Sequence, residues 1–176
     1  LLNDARKLDK QKLPLMVERF AQLAEDAQGE IPRPLTNPRL TISDTQRAAT
    51  LHKLDLTLDK PVAVFCPGAE YGPAKRWPYF RELAARLDAQ IVLLGSAGDL
   101  EDNREIRGMN LIGKTSLDDA IDLIAKAAAV VSNDSGLMHV AAAAGRPLVA
   151  LFGSSSPDHT GPQSPAARVL WLRTEC

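Results

Sequence analysis

VVSNDSGLMHVAAAAGRPLVALFGSSSPDHTGP, residues Val130 to Pro162, decides the fold of this chain. The apolar pair Val130-Val131 stops at Ser132, and Asn133-Asp134-Ser135-Gly136 turns the chain. Leu137, Val140, Ala141 and Ala144 then fall at i, i+3, i+4 and i+7, one face of a helix. Gly145 stops that helix and Pro147 prevents its continuation. Leu148 to Phe152 is a second apolar run, closed by a Gly/Ser/Pro loop. The order is strand, polar turn, helix N-terminus, short helix, strand. Ligands of open α/β sheets sit beyond the carboxyl ends of the strands, near helix N-termini. Free backbone N–H groups there suit a phosphate, so this turn is expected to hold part of a nucleotide.

The same alternation runs outward from that stretch. Val62 to Cys66 is a fully apolar run broken by Pro67-Gly68. Trp77-Pro78 opens a helix whose Phe80, Leu83, Ala84 and Leu87 share a face, and Ile91 to Leu94 is the next apolar run. A polar helix is expected over Asp99 to Arg107, then a short strand at Leu111-Ile112. Ser116 and Asp119 form a capping box with Asp in place of Glu, and the helix behind it should turn Leu117, Ala120, Ile121, Ile124 and Ala128 inward. Val169 to Leu172 is a last apolar run. Runs without alternation mark strands buried on both faces. Alternating with helices, they predict an α/β fold, a Rossmann-like parallel sheet sandwich of about five or six strands.

Before Pro61 the pattern is looser. Leu1 to Lys12 is polar and basic, a solvated connector with a membrane-surface patch as the weaker alternative. Pro14 opens a helix carrying Leu15, Val17, Phe20, Leu23 and Ala24 up to Gln28, closed by Gly29. Pro32, Pro34 and Pro38 stiffen an extended linker. Leu40 to Ile42 is read as a short strand, and Ser43 caps a helix from Asp44 to His52. The domain boundary falls between Gly29 and Lys60.

The chain has 176 residues, 45% hydrophobic and 24% charged, which suffices for one domain with a real core, or a domain plus a fragment. A formal net charge of -1 offers no basic face for nucleic acid. Two cysteines, Cys66 and Cys176, make no disulfide framework, so a reducing cytoplasm is the default. No run approaches the roughly 18 apolar residues of a membrane span, and no signal peptide opens the chain. It begins Leu1-Leu2 instead of Met and ends just after an apolar run, so a truncated N-terminus is expected and the C-terminus is open to the same reading.

Three loops should meet at one sheet edge, because each follows a strand. In Pro67 to Trp77, Gly68 and Gly72 let backbone approach a ligand closely. Lys75 and Arg76 precede a helix start, where a cation opposes the helix dipole and a bound anion would relieve it. The bland alternative is a solvated basic pair. Gly95-Ser96-Ala97-Gly98 suits a close-packed ribose or base, or is an ordinary tight turn. Ser135 and Gly136 offer hydroxyl and backbone donors at a helix start. Asp134 would repel a phosphate set directly against it. It is therefore expected to fix the turn, by accepting backbone N–H groups or by pairing with Lys75, with a helix cap and a ligand role equally open. His139 lies off the apolar face, with a pocket role and a structural one equally open; for His159 a plain surface position outweighs ligand contact.

Several chemistries find no support. Neither GxxxxGK[ST] nor GxGxxG occurs, which counts against a Walker loop and an NAD-dependent dehydrogenase. No Asp-x-Asp pair occurs to hold a divalent metal on a diphosphate, and the histidines and cysteines lack zinc spacing, so no metal is expected. Cys66 reads as a small core residue. Gly153-Ser154-Ser155-Ser156 is not a GxSxG nucleophile elbow.

PGAEYGPAKRWP (Pro67 to Pro78), LLGSAGD (Leu93 to Asp99) and SNDSGLMHVAAAAGRPLVALFGSSSPDHTGP (Ser132 to Pro162) resemble the ADP-heptose:lipopolysaccharide heptosyltransferases, glycosyltransferase family 9, and most of all their heptosyltransferase II branch. LLNDARKLDK and LPLMVERFAQLA extend the resemblance to the start of the chain. It implies a GT-B enzyme of two Rossmann-like domains. Residues 1–58 would be the tail of the N-terminal domain and a Pro-rich linker. Residues 59–176 would be the C-terminal, nucleotide-sugar-binding half, without its final helix. It further implies inverting transfer of L-glycero-D-manno-heptose from ADP-heptose to the lipopolysaccharide inner core, at the cytoplasmic face of the inner membrane, with peripheral membrane association and no cofactor. Lys75 matches the diphosphate-binding lysine and is the implied catalytic residue. Asp134, Ser135 and Gly136 match the donor turn, His139 the histidine of the same helix, and Gly95 and Ser96 the loop beside adenosine; Gly68 and Ala69 complete the implied donor contacts. The family's candidate general base, an Asp near the start of the N-terminal domain, has no counterpart here. The rivals are another GT-B sugar-nucleotide enzyme and a non-catalytic nucleotide-binding module.

Overall fold

The computed structural model describes residues 4–26, 28–70 and 72–173. Leu1-Leu2, Tyr71 of the first loop and Cys176 lie outside the described residues. Six strands form one parallel sheet: β1 (Val62–Cys66), β2 (Gln90–Leu93), β3 (Met109–Asn110), β4 (Ala129–Asn133), β5 (Leu148–Phe152) and β6 (Ala167–Trp171), in the order β3-β2-β1-β4-β5-β6. The order reverses between β1 and β4, so the ligand crevice of such a sheet falls at their carboxyl ends.

The pleat sorts each apolar run onto two faces. Val62, Val64 and Cys66 join Val92, Val130, Ala150 and Phe152 against α5 (Leu117–Lys126) and α6 (Gly136–Ala143). Ala63 and Phe65 join Ile91 and Leu93 against α3 (Phe80–Arg86). Phe65 meets Phe80 at a centroid distance of 5.4 Å. Burying side chains of this size stabilises the fold by roughly 1.5–3 kcal/mol each. β6 is an edge strand, and Val169 and Leu170 stay exposed, unlike the central runs.

Several expectations shift, each for a local reason. The strand expected at Leu111-Ile112 is Met109–Asn110 instead, because Asn110 Oδ1 accepts Ile112 N–H (3.1 Å) and turns the chain. The long polar helix shrinks to a 3₁₀ turn (Ala97–Asp99) and α4 (Leu100–Asn103). Asn103 Nδ2 donates to the Asp99 carbonyl (2.7 Å), competing with the helix ladder. Leu40 to Ile42 is not a strand; Leu40 N–H bonds the Ala143 carbonyl (2.9 Å) at the end of α6, away from any ladder.

On α5 the buried stripe is Ala120, Leu123 and Ile124, continuing to Ala127, while Leu117 is 63% exposed. Phase alone does not say how far along its axis a helix is covered. Ala128 is exposed because the helix ends at Lys126 and Ala127 is already extended. On α6 the buried residues are Met138, Ala141 and Ala142, with Leu137, Val140 and Ala144 only half-buried. A helix this uniformly apolar leaves its phase open to sequence reading. α1 is Met16–Leu23, shorter than the expected stripe, and Phe20 and Leu23 are exposed.

The Ser43 side chain caps α2 (Asp44–Lys53) by accepting from Gln46 N–H. That helix docks on α5: Thr50 Oγ1 donates to Asp122 Oδ2 (2.6 Å), and Lys53 Nζ lies 2.8 Å from Asp119 Oδ2. Leu51, Leu54, Leu56 and Leu58 then pack against the sheet core. The Lys53 and Ser116 hydrogen bonds hold the Asp119 carboxyl at about 2, below the ordinary 3.8. A depressed folded value gives stability that is present above the unfolded pKa and lost as pH falls through the folded one. Urea unfolding should therefore show a loss between about pH 4 and pH 2 that Asp119→Asn lacks. Identical acid profiles for both proteins would contradict this role.

Candidate functional site

All the strands are parallel, so the loops after β1, β2, β4 and β5 gather at one edge of the sheet. Asn133, fully buried at the end of β4, stitches them together. Its Nδ2 donates to the Pro67 carbonyl (2.6 Å) and its Oδ1 accepts Trp77 N–H (3.1 Å). Ser132 Oγ donates to the Asn133 carbonyl and lies 3.2 Å from Ser135 Oγ.

One cluster centres on Asp134, whose side chain is 6% exposed. Its Oδ2 lies 2.6 Å from Lys75 Nζ and its Oδ1 accepts from Thr160 Oγ1 (3.2 Å). The pairing with Lys75 is one of the two roles anticipated for this carboxylate. Lys75 ends a 3₁₀ turn, Pro73–Lys75, entered through Gly72 at φ 91°, a conformation that glycine adopts without strain. α3 begins only at Phe80, so the basic pair does not sit at its N-terminus as expected. The dipole that Lys75 meets, through Asp134, is that of α6. There the N-cap Ser135 makes no side-chain cap bond, and a Cβ on Gly136 would meet nothing within 4 Å. The first turn of α6 therefore opens to space beside a lysine, which suits an anion.

A second cluster centres on Asp99, expected from the sequence to start a polar helix. Asp99 Oδ2 accepts from Ser96 N–H (3.0 Å) and Ser96 Oγ (2.6 Å), a capping box. Arg76 reaches it at 3.4 Å and also pairs with Asp102. Arg76 is thus committed to carboxylates, and of the basic pair Lys75 stands at the α6 turn. The missing side chains of Gly68 and Gly95 make room for Asp99: a Cβ on Gly68 would come within 2.3 Å of Asp99 Oδ2, and one on Gly95 within 3.2 Å. Ala69 is 3% exposed and offers a ligand little beyond its backbone. The signal for Asp99 was present: Ser96-x-x-Asp99 repeats the Ser116-x-x-Asp119 spacing.

His139 is exposed on α6 and lines a hollow of about 250 Å³ with Leu15, Met16, His159, Thr160 and Gln163. Partial desolvation pulls its pKa below the ordinary value, opposed by the Asp134 carboxylate. His159 faces the N-terminal segment, with Nδ1 3.3 Å from the Pro14 carbonyl and Nε2 3.5 Å from Arg19 Nη1. A cleft of about 500 Å³, the size of a ligand site, lies beside Lys75, Trp77, Asn133, Gly153 and Trp171. Burial pushes the Cys66 thiol up to about 12, against a bond to Ser132, so it is a packed core group. Among the described residues no three His, Cys, Asp or Glu side chains are grouped to hold a metal ion, and no helix is long and apolar enough to cross a membrane.

The chain forms a doubly wound parallel α/β sheet, with an open helix N-terminus and a paired lysine at the switch point where ligands of such sheets sit. The model of glycosyltransferase family 9 (heptosyltransferase) matches residues 1–176, and the chain belongs to that family. It is 49% identical to lipopolysaccharide heptosyltransferase 2 of Escherichia coli K12, over 99% of this chain and 56% of that protein. It is 45% identical to lipooligosaccharide heptosyltransferase 2 of Haemophilus influenzae, over 98% of this chain and 56% of that one. The chain thus spans little more than half the length of these relatives. The solved E. coli ADP-heptose lps heptosyltransferase II superposes with a TM-score of 0.93 at 48% identity, covering 99% of this chain and 59% of that one. The E. coli heptosyltransferase WaaC with ADP superposes at 0.61 and 29% identity, covering 88% and 49%.

Proposed function

We propose that this chain is the donor-binding half of a GT-B heptosyltransferase and that the ADP portion of ADP-heptose lies across the β1, β2 and β4 loops. The observation that carries the reading is the Lys75–Asp134 pair set at the uncapped N-terminus of α6. An ammonium has three donors, so Lys75 can keep Asp134 on one side and bind a phosphate oxygen with another. Asp134 holds the lysine in place and is not the general base. Ser135 and Gly136 supply the open helix end, Gly95 and Ser96 lie toward the adenosine, and His139 borders the sugar side. The relative solved with ADP supports the choice of nucleotide.

In the complete enzyme, the bond from the anomeric carbon to the diphosphate oxygen breaks as an acceptor hydroxyl oxygen attacks from the opposite face. The acceptor proton leaves to a base outside this chain. Charge grows on the departing ADP, where Lys75 and the α6 N–H groups meet it; a preorganised donor of this kind is worth roughly 3–4 kcal/mol. The acceptor is the lipopolysaccharide inner core, reached at the cytoplasmic face of the inner membrane. Calorimetric titration of the chain with ADP and with UDP tests the donor assignment. ADP should bind the tighter of the two, and preference for UDP would point to another sugar-nucleotide enzyme.

A further inference from the structure

The loop after β5 touches Asp134 and the residue before Lys75. On the lysine side, Ser154 Oγ donates to the carbonyl of Ala74 (3.2 Å), the residue before Lys75. Gly153 lies so close to that carbonyl that a Cβ would come within 3.1 Å of it. On the aspartate side, Thr160 closes α7 (Pro157–Thr160) and donates to Asp134 Oδ1 (3.2 Å). A carboxylate held at one oxygen still rotates about its last torsion, whose wells are broad. Engaged at both oxygens, Asp134 has a fixed plane, and its Oδ2 gives Lys75 a fixed direction.

The short helix that carries Thr160 is closed at both ends. Ser156 Oγ accepts Asp158 N–H (3.2 Å) at the start of α7, and Gly161 N–H bonds the Pro157 carbonyl (2.8 Å) at its end. Next to it, His159 faces the N-terminal segment through Pro14 and Arg19. We propose that Thr160 is a positioning residue for the diphosphate site, acting through Asp134 on Lys75. The inference rests on the donor-site reading above.

The test compares Thr160→Val, which removes the hydroxyl at nearly constant shape, with Thr160→Ser, which keeps it. ADP affinity is measured by calorimetry and ligand-free crystal structures are solved for both. A hydrogen bond to a charged group sets the scale, so Thr160→Val should bind ADP roughly tenfold more weakly, and Thr160→Ser should stay within about twofold of the parent. In the valine crystals the Asp134 carboxylate should be turned and the Lys75 ammonium displaced. In an Asp134→Asn background, Thr160→Val should cause no further loss. An unmoved pair in the valine crystals, parental affinity of that variant, or an undiminished loss in the Asp134→Asn background would each overturn the proposal. If the parent chain itself fails to bind ADP, the nucleotide reading falls, and the crystals alone decide for or against Thr160.

Discussion

Lys75→Ala should lower ADP affinity by about 100-fold and leave the fold standing. Two effects add. The lost charge-assisted bond to the diphosphate is worth roughly 1.5–3 kcal/mol. The Asp134 carboxylate, 6% exposed and still held by Thr160, then faces the incoming anion without its counter-charge. Breaking such a pair also costs stability, because one charge stays buried and uncompensated. The double variant Lys75→Ala/Asp134→Asn separates the two contributions. It should recover the melting temperature, since no buried charge remains, and recover affinity only in part. Calorimetry and thermal unfolding on the same samples read both quantities. Parental ADP binding by Lys75→Ala would remove the lysine from the site.

Gly68→Ala is expected to destabilise the loop after β1. Its Cβ would lie 2.3, 2.4 and 2.7 Å from Asp99 Oδ2, Cγ and Oδ1. Asp99 cannot simply retreat, because Ser96 holds it through two hydrogen bonds and Arg76 lies over it. If the carboxylate swings out, the capping box opens. If the backbone yields instead, Pro67 moves off Asn133 Nδ2. Overpacking with a lost cap costs about 2–4 kcal/mol, which lowers the melting temperature by roughly 5–12 °C for a chain of this size. Removing the obstructing carboxylate with Asp99→Ala should restore part of that loss. A Gly68→Ala protein that melts with the parent would show that the Asp99 seat is slack.

The sequence announced the β1, β2, β4 and β5 runs, because a strand buried on both faces must be apolar without interruption. It announced the turns that end them, because Pro67-Gly68, Gly95 and Asn133-Asp134 are polar or strand-breaking residues where the sheet stops. The Lys75–Asp134 pairing was legible as one of two alternatives, because a carboxylate beside a phosphate-friendly turn needs either backbone N–H groups or a cation. What escaped were contacts made across the fold. Asn133 seemed one polar residue among four, and only its burial shows it joining two loops. Thr160 lay in an apparent surface loop, 26 residues from the carboxylate it touches. Gly68 was read as room for a ligand, yet that room is filled by Asp99, from the loop after the next strand. Element extents failed where a side chain bonds back to the main chain, as at Asn103 and Asn110, since such competition leaves periodicity unchanged.

In the proposed site, the open turn of α6 and the Lys75–Asp134 pair hold the diphosphate of an adenine nucleotide. The crystal structure of this chain with ADP tests it most directly. A phosphate oxygen should lie within hydrogen-bonding reach of Lys75 Nζ and of the Gly136 N–H, with Asp134 still seated between Lys75 and Thr160. A nucleotide bound elsewhere on the sheet edge, with Lys75 and the α6 N-terminus untouched, would contradict it.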